Sequence, residues 1–144
     1  MSFSLNERRL PLYQAEDSKY QPLGAWIITD ISIYRGACLD ALAMLSDVSA
    51  GRPTFEPWDS ENYTVHFAPT GVSIQNDWVE HERGEFSVAD VRVAVEDYWR
   101  FLASLPDNPN LIREYRPDLP EWQAALLRWE EKWSRRHPYH GVLF

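Results

Sequence analysis

The sequence predicts an α+β fold, a small antiparallel sheet (a β-meander) packed on one face by about three helices. Three observations predict it. Val88 to Leu105 and Leu119 to Trp133 repeat apolar residues at helical three-four spacing. Residues 63–67 and 72–78 alternate apolar and polar side chains instead. Finally, the elements come in runs, helix, then strands, then two helices, which argues α+β over a strictly alternating α/β order. The 144 residues favour a single domain, 1–144, long enough to bury a core without disulfides or metals.

In chain order, residues 1–22 read as irregular, with one short strand around Arg9 to Tyr13, where Pro11 argues against a central position. Ala25-Trp26-Ile27-Ile28 after Gly24 is either a short strand or the lead-in to a helix. The first helix is expected over Ile33 to Val48, capped by Asp30 or Ser32, with Tyr34, Cys38, Ala41, Leu45 and Val48 on one face. Gly51 and Pro53 stop it. Thr54 to Trp58 is the first strand of the meander and Tyr63 to Phe67 the second. After a turn at Pro69-Thr70-Gly71, a third strand places Val72, Ile74, Asn76 and Trp78 on one face. Ser87 caps the second helix, with Asp90 three residues on. Its stripe of Val88, Val91, Val95, Tyr98, Leu102 and Leu105 is expected to pack on the inner sheet face. A linker, 110–118, leads to a last helix over 119–136, with Asp118 as its cap and Pro120 in its first turn. His137-Pro138 ends that helix, and Gly141 to Phe144 is a short tail.

Composition bounds the function. The chain is 44% hydrophobic and 25% charged, with seven Trp, seven Tyr and six Phe, so a firm core is within reach. The net charge of −8 is uneven. Residues 30–97 hold thirteen acids against four bases, and the last 47 residues six acids against seven bases. Such a field repels nucleic acid and membrane surfaces and attracts basic partners. No apolar stretch is long enough for a signal or a membrane span, and a single cysteine forms no internal disulfide, so a cytoplasmic setting is expected.

Chemical motifs are sparse. His66, His81, His137 and His140 make no zinc pattern, and Cys38 lies on the apolar stripe of its helix, where a thiol is normally inert. Neither a nucleophile elbow nor a phosphate-cradling glycine loop is present. The expectation is therefore a protein without catalytic residues, metal or cofactor. Arg128, Lys132, Arg135 and Arg136 read as the solvated face of the last helix, with Trp129 and Trp133 in the core.

The remaining feature is an acidic segment, Asp77-Trp78-Val79-Glu80-His81-Glu82-Arg83-Gly84-Glu85. In a meander its start comes to the same sheet edge as Trp58, Asp59 and Glu61, away from the Pro69–Gly71 turn. Carboxylates beside Trp suit a protein-binding surface, the charge steering the encounter and the rings supplying buried area. Trp58, Asp59, Glu61, Asp77, Trp78, Glu80, Glu82 and Glu85 are the expected partner-binding residues.

The layout of residues 39–105 resembles the immunity proteins of bacterial contact-dependent growth inhibition and related polymorphic toxin systems. The residues that carry the resemblance are Leu39-Asp40-Ala41-Leu42, Asp47-Val48-Ser49-Ala50-Gly51, Tyr63-Thr64-Val65-His66-Phe67, Val72-Ser73-Ile74-Gln75-Asn76 and Asp97-Tyr98-Trp99-Arg100-Phe101-Leu102. The Trp-rich last helix lies outside it. The resemblance implies a cognate toxin domain as partner, in many such systems a nuclease, neutralised by binding alone. The expectation is a monomer or weak homodimer whose acidic surface occludes a basic toxin cleft. A small carboxylate-dependent enzyme and a cytosolic adaptor or oligomer subunit are the alternatives.

Overall fold

Alternation decides the sheet. Tyr63, Val65 and Phe67 are 2%, 4% and 8% exposed, while Thr64 and His66 between them face solvent. In a computed structural model covering Met1–Phe144, these residues form β4 (Tyr63–Ala68) of an antiparallel meander. Its order is β3 (Trp58–Asp59), β4, β5 (Gly71–Asn76), β6 (Arg83–Phe86). Val65 stands opposite Trp58 and Ile74, and Phe67 opposite Val72, itself opposite Phe86, so these side chains line the inner face. The outer face carries Asp59, Thr64, His66, Ser73, Gln75, Arg83 and Glu85. A polar outer face over an apolar inner one is the expected state of a half-buried antiparallel sheet.

Three strand expectations need correction. The third strand ends at Asn76, so Trp78 leaves the buried face of Val72 and Ile74 and is 79% exposed. The first strand is two residues long, not Thr54 to Trp58, since Pro53 and Pro57 offer no amide to a ladder. A fourth strand, β6, occupies what the sequence reads as acidic loop. Only Phe86 in it is apolar, and Gly84 leaves room for that ring, since a Cβ there would stand 2.8 Å from Phe86 Cζ.

The N-terminus carries the expected short strand, shifted to Pro11–Gln14, and a second strand that the sequence does not predict. β1 (Ser2–Leu5) and β2 (Pro11–Gln14) form a separate hairpin. Pro11 is tolerated because both strands of a two-stranded sheet are edges. Asn6 Oδ1 accepts from the amides of Arg8 (2.8 Å) and Leu10 (3.0 Å) and so shapes the turn, with Arg9 at φ +61°. The hairpin lies on the helices through Phe3, whose ring meets Tyr98 edge-on at 4.7 Å.

The segment around Trp26 is helical. α1 (Gln21–Trp26) continues into a π-helical turn, Ile27–Ile31, and packs on β5 and β6. Tyr13 lies so close over Gly24 that a Cβ would stand 2.3 Å from its ring. α2 (Arg35–Ser49) starts later than expected and is buried almost all round, as a helix apolar on every side must be. Cys38, Ala41, Leu45 and Val48 are buried as the stripe requires, but Tyr34 lies outside the helix and is 66% exposed. Neither expected cap operates. Tyr34 is the cap residue, with no side-chain bond, and Asp30 instead receives the Trp58 indole.

α3 (Val88–Ser104) is the helix the sequence predicts. Ser87 Oγ accepts the Asp90 amide at 3.0 Å, and Val91, Val95, Tyr98 and Leu102 are fully buried. Its main neighbour is α2, and of the meander it meets chiefly β5, so its stripe packs on α2 more than across the whole inner sheet face, a correction to the expected packing. The sheet is already covered by α1, which sequence periodicity could not place.

α4 (Glu121–Trp133) buries Leu126 and Trp129 and keeps Trp122 and Trp133 half-buried against the core. Asp118 does not cap it, because that carboxylate pairs with Arg116. Asp107 Oδ1 accepts the Glu121 amide at 3.2 Å instead. The helix ends at Trp133 with Ser134 left-handed, short of 136. The tail then folds inward. His137 and Tyr139 are 1% and 4% exposed, and the Phe144 ring meets Trp99 at 5.0 Å.

Candidate functional site

The meander topology places two connections at one sheet edge, Ser60–Asn62 between β3 and β4 and Asp77–Glu82 between β5 and β6. Hydrogen bonds join them. The Asp77 amide donates to Asn62 O (2.8 Å), Thr64 Oγ1 to Asp77 Oδ1 (2.9 Å), and Trp78 Nε1 to Glu61 O (2.7 Å). Asn76 organises the second connection. Its Oδ1 accepts from the Trp78 and Val79 amides (2.9 and 3.0 Å), and its Nδ2 donates to Glu82 Oε2 (2.9 Å).

Five of the expected partner-binding residues, Asp59, Glu61, Asp77, Trp78 and Glu80, are therefore exposed at this edge. Trp78 is the most informative of them. Its side chain is 79% exposed, yet the indole is held in place by the Glu61 carbonyl. Burying a ring already fixed this way loses little conformational entropy.

The other three differ. Trp58 faces inward opposite Val65, meets Trp26 edge-on at 5.2 Å and donates Nε1 to Asp30 Oδ2 at 2.7 Å. It is half-buried there and also lines a groove beside β3. Glu82 is half-buried and tied to Asn76. Glu85 belongs to β6 opposite Ser73, on the outer face and back from the edge. Asp30, read from the sequence as a candidate helix cap, comes to Trp58 from the π-helical turn instead. Burial raises its carboxyl above the ordinary range; hydrogen bonds from Trp58 and Ser60 oppose this, and Asp77 adds to it.

The ionic groups of the helical part are arranged differently. Asp47, 3% exposed, is gripped by both terminal nitrogens of Arg135 at 3.1 Å and approached by Arg52 at 3.4 Å. Arg35 bonds Glu121 (2.9 Å) and the Leu102 carbonyl (2.7 Å). His137 Nε2 lies 2.8 Å from Leu39 O and must carry the proton there, while Nδ1 accepts the Tyr139 amide at 3.1 Å. Burial pushes this imidazole down to about 4.

Both ring nitrogens of His137 are thus engaged, and no group of three or more His, Cys, Asp or Glu side chains is placed to hold a metal. The Cys38 thiol is fully buried and pushed well above its ordinary value by that burial, far from the exposed thiolate a nucleophile needs. No helix is long and apolar enough to cross a membrane. Two depressions in the surface are open grooves. One runs beside β3 between Thr54–Asp59 and Thr64–Phe67, and the other lies at the end of α4. What the arrangement offers is a rigid, acidic, aromatic edge. The chain matches no family model, no curated protein and no solved structure.

Proposed function

We propose that this chain is a binding protein whose acidic sheet edge docks on a basic protein partner, and that the partner is a bacterial toxin domain which binding neutralises. The observation that carries the docking surface is Trp78, exposed but pinned to Glu61 O and flanked in sequence by Asp77 and Glu80. An anchor of this kind supplies buried area, and the surrounding carboxylates steer a cationic partner onto it. The toxin class comes from the resemblance of residues 39–105 to immunity proteins. Occlusion of a basic cleft needs no chemistry from the inhibitor, which agrees with acids that lie exposed rather than in an enclosed, pKa-raising pocket.

The test uses the full chain as bait for its own cell's lysate, beside a variant with Asp59, Glu61 and Glu80 changed to Lys. Wild type should retain a basic protein domain that arrests growth when expressed alone, and co-expression of this chain should restore growth. The variant should associate more slowly, with a difference that shrinks at high salt. Growth not rescued by co-expression overturns the toxin reading. Equal association rates at low salt overturn the edge as the surface.

A further inference from the structure

The groove beside β3 exists because one aromatic side chain is drawn away from the sheet. Continued past Trp58, β3 would lay Glu56 opposite Phe67. Instead Phe55 packs on α4, its ring 4.6 Å from that of Trp133 and 6.2 Å from that of Trp129. Residues 54–57 therefore leave the sheet, while β4 runs on to Ala68. Between them lies a groove of about 550 Å³.

Strand geometry decides what the groove exposes. Backbone groups along an antiparallel strand turn alternately to its two neighbours. Asn62 O accepts the Asp77 amide on the β5 side, and Tyr63 O accepts the Ser60 amide on the β3 side. The odd-numbered residues of β4 thus turn their amide and carbonyl towards β3. Val65 meets Trp58 there, but Phe67 meets nothing, since the ladder stops at Val65 and no other backbone bond reaches Phe67 from that side. On the opposite wall the amides of Thr54, Phe55 and Glu56 are equally free of backbone hydrogen bonds.

Unpaired backbone at a sheet edge is a template for an added strand. The other edge of the meander is guarded. The Asn76 amide donates to Glu82 O, so by the same alternation Arg83 and Glu85 of β6 turn their backbone outward, and charged side chains at an edge oppose pairing. Beside Phe67 the fixed charge has one sign. Glu56 and Asp59 line the groove, no lysine or arginine does, and neither acid belongs to an ion pair. Asp59 also belongs to the exposed rim, so groove and rim are continuous.

We propose that the edge of β4 at Phe67 receives an extended basic segment of the protein partner as an added strand. Phe67 donates its amide to one carbonyl of the segment and accepts one amide in return. An apolar side chain of the segment lies on Phe55 and Trp58, and a neighbouring lysine or arginine faces Glu56 and Asp59. This deepens the proposed function and rests on it. The rim steers a basic partner, and the edge fixes the register of one of its segments.

The probe is a heptapeptide of alternating lysine and valine, titrated into the ¹⁵N-labelled full chain beside the same peptide methylated on its backbone nitrogens. The Phe67 amide and the Trp58 indole report on the groove, and the Trp78 indole on the rim. In the free chain the Phe67 amide should exchange with solvent faster than the paired Val65 amide. With the peptide bound, the Phe67 amide should shift and its exchange should slow, and the Trp58 indole should shift with it. The methylated peptide keeps the charge and side chains but donates no backbone hydrogen bond, so it should bind about tenfold more weakly. Glu56→Gln removes a charge that forms no ion pair, so it should melt like wild type and bind the unmethylated peptide several-fold more weakly. A Phe67 amide as protected as Val65 in the free chain, equal affinity of the two peptides, or Glu56→Gln binding like wild type each overturns strand addition at this edge. Movement of Trp78 alone does so too, and leaves the rim reading standing. Movement of none of the three overturns both.

Discussion

Asp47 and Asp77 stand near the ends of secondary-structure elements, one in the last turn of α2 and one just past β5. Asp47 is buried under the fork of Arg135, whereas Asp77 is exposed, bonded only to a threonine hydroxyl and without a cation. The same contrast holds more widely. Around α2 and α4, Arg35 meets Glu121, Trp129 Nε1 donates to Asp40 (2.8 Å), and Glu130 takes the His137 amide and the His140 ring. Along the sheet edge, none of Asp59, Glu61, Asp77, Glu80 and Glu82 pairs with a cation, and Asp77 and Glu82 take only the neutral donors of Thr64 and Asn76. A fold that satisfies its acids in one half and concentrates unpaired ones in the other keeps its stability in the first and its external interactions in the second. Substitutions should separate the two halves accordingly.

The largest effect is expected in the packed half. Val95 is fully buried on α3, with its carbonyl 4.0 Å from the Cys38 sulfur of α2. Val95→Asp inserts an unpaired carboxylate between two helices and should abolish cooperative unfolding altogether. Circular dichroism during a thermal melt reads this, and a sharp, near-wild-type transition would show that the α2–α3 interface is not the core.

Next comes Arg135→Ala. It leaves Asp47 buried with only Arg52, which is 64% exposed and 3.4 Å away. The expected loss is about 3 kcal/mol, because an orphaned buried charge costs more than the intact pair contributes. A urea midpoint measured beside Asp47→Asn/Arg135→Ala checks the cause, since the double variant should recover part of the loss.

Acid should weaken the same half. Folded His137 titrates at about 4 against an ordinary 6.5, so between those values the unfolded chain binds the extra proton. The stability from its neutral imidazole is fully present above pH 6.5 and is lost as pH falls towards 4. The shift corresponds to at most about 3 kcal/mol. Glu130, pushed up by burial but held on balance below its usual range by His140 and the His137 amide, adds a loss in the same direction at lower pH. Asp40 and Asp30, raised mainly by burial, bind protons more readily in the folded state and so oppose the trend. Urea midpoints at pH 7 and pH 4.5 should differ in wild type and converge in His137→Gln.

The sequence displays these two halves unequally. β4, β5 and α3 are legible because each satisfies a local rule, alternation or a capped three-four stripe. Co-location of Asp59–Glu61 with Asp77–Glu80 follows from the meander topology alone. Trp58 reads as part of the acidic edge because its neighbours are acidic, whereas a place opposite Val65 turns it towards Trp26 and leaves it half-buried. Of the N-terminal hairpin only the second strand is legible, because the turn uses Asn6 and a left-handed Arg9 instead of glycine. The C-terminal tail hides because nothing local says that His137 will meet Leu39 O, 98 residues earlier. Asp30 is the same case, its place set by the Trp58 indole and not by its own segment.

The smallest stability change is expected at the edge, where the change in binding should be largest. Changing Asp59, Glu61 and Glu80 to Lys moves the net charge from −8 to −2. All three side chains are exposed, and none forms an ion pair. No buried contact is lost, and like-charge repulsion along the rim is relieved, so stability should stay within about 0.5 kcal/mol of wild type. Trp78→Ala removes a 79%-exposed ring and one hydrogen bond to Glu61 O and should cost at most about 1 kcal/mol. The two variants should then diverge in binding to the partner. The lysine variant loses steering, which appears in the association rate and fades with salt, whereas Trp78→Ala loses buried area, which appears in the dissociation rate and persists at high salt. Stopped-flow association and dissociation at two salt concentrations separate them. A lysine variant that folds normally but shows salt-independent kinetics identical to wild type would dissolve the contrast between the halves, because the unpaired acids would then have no external role.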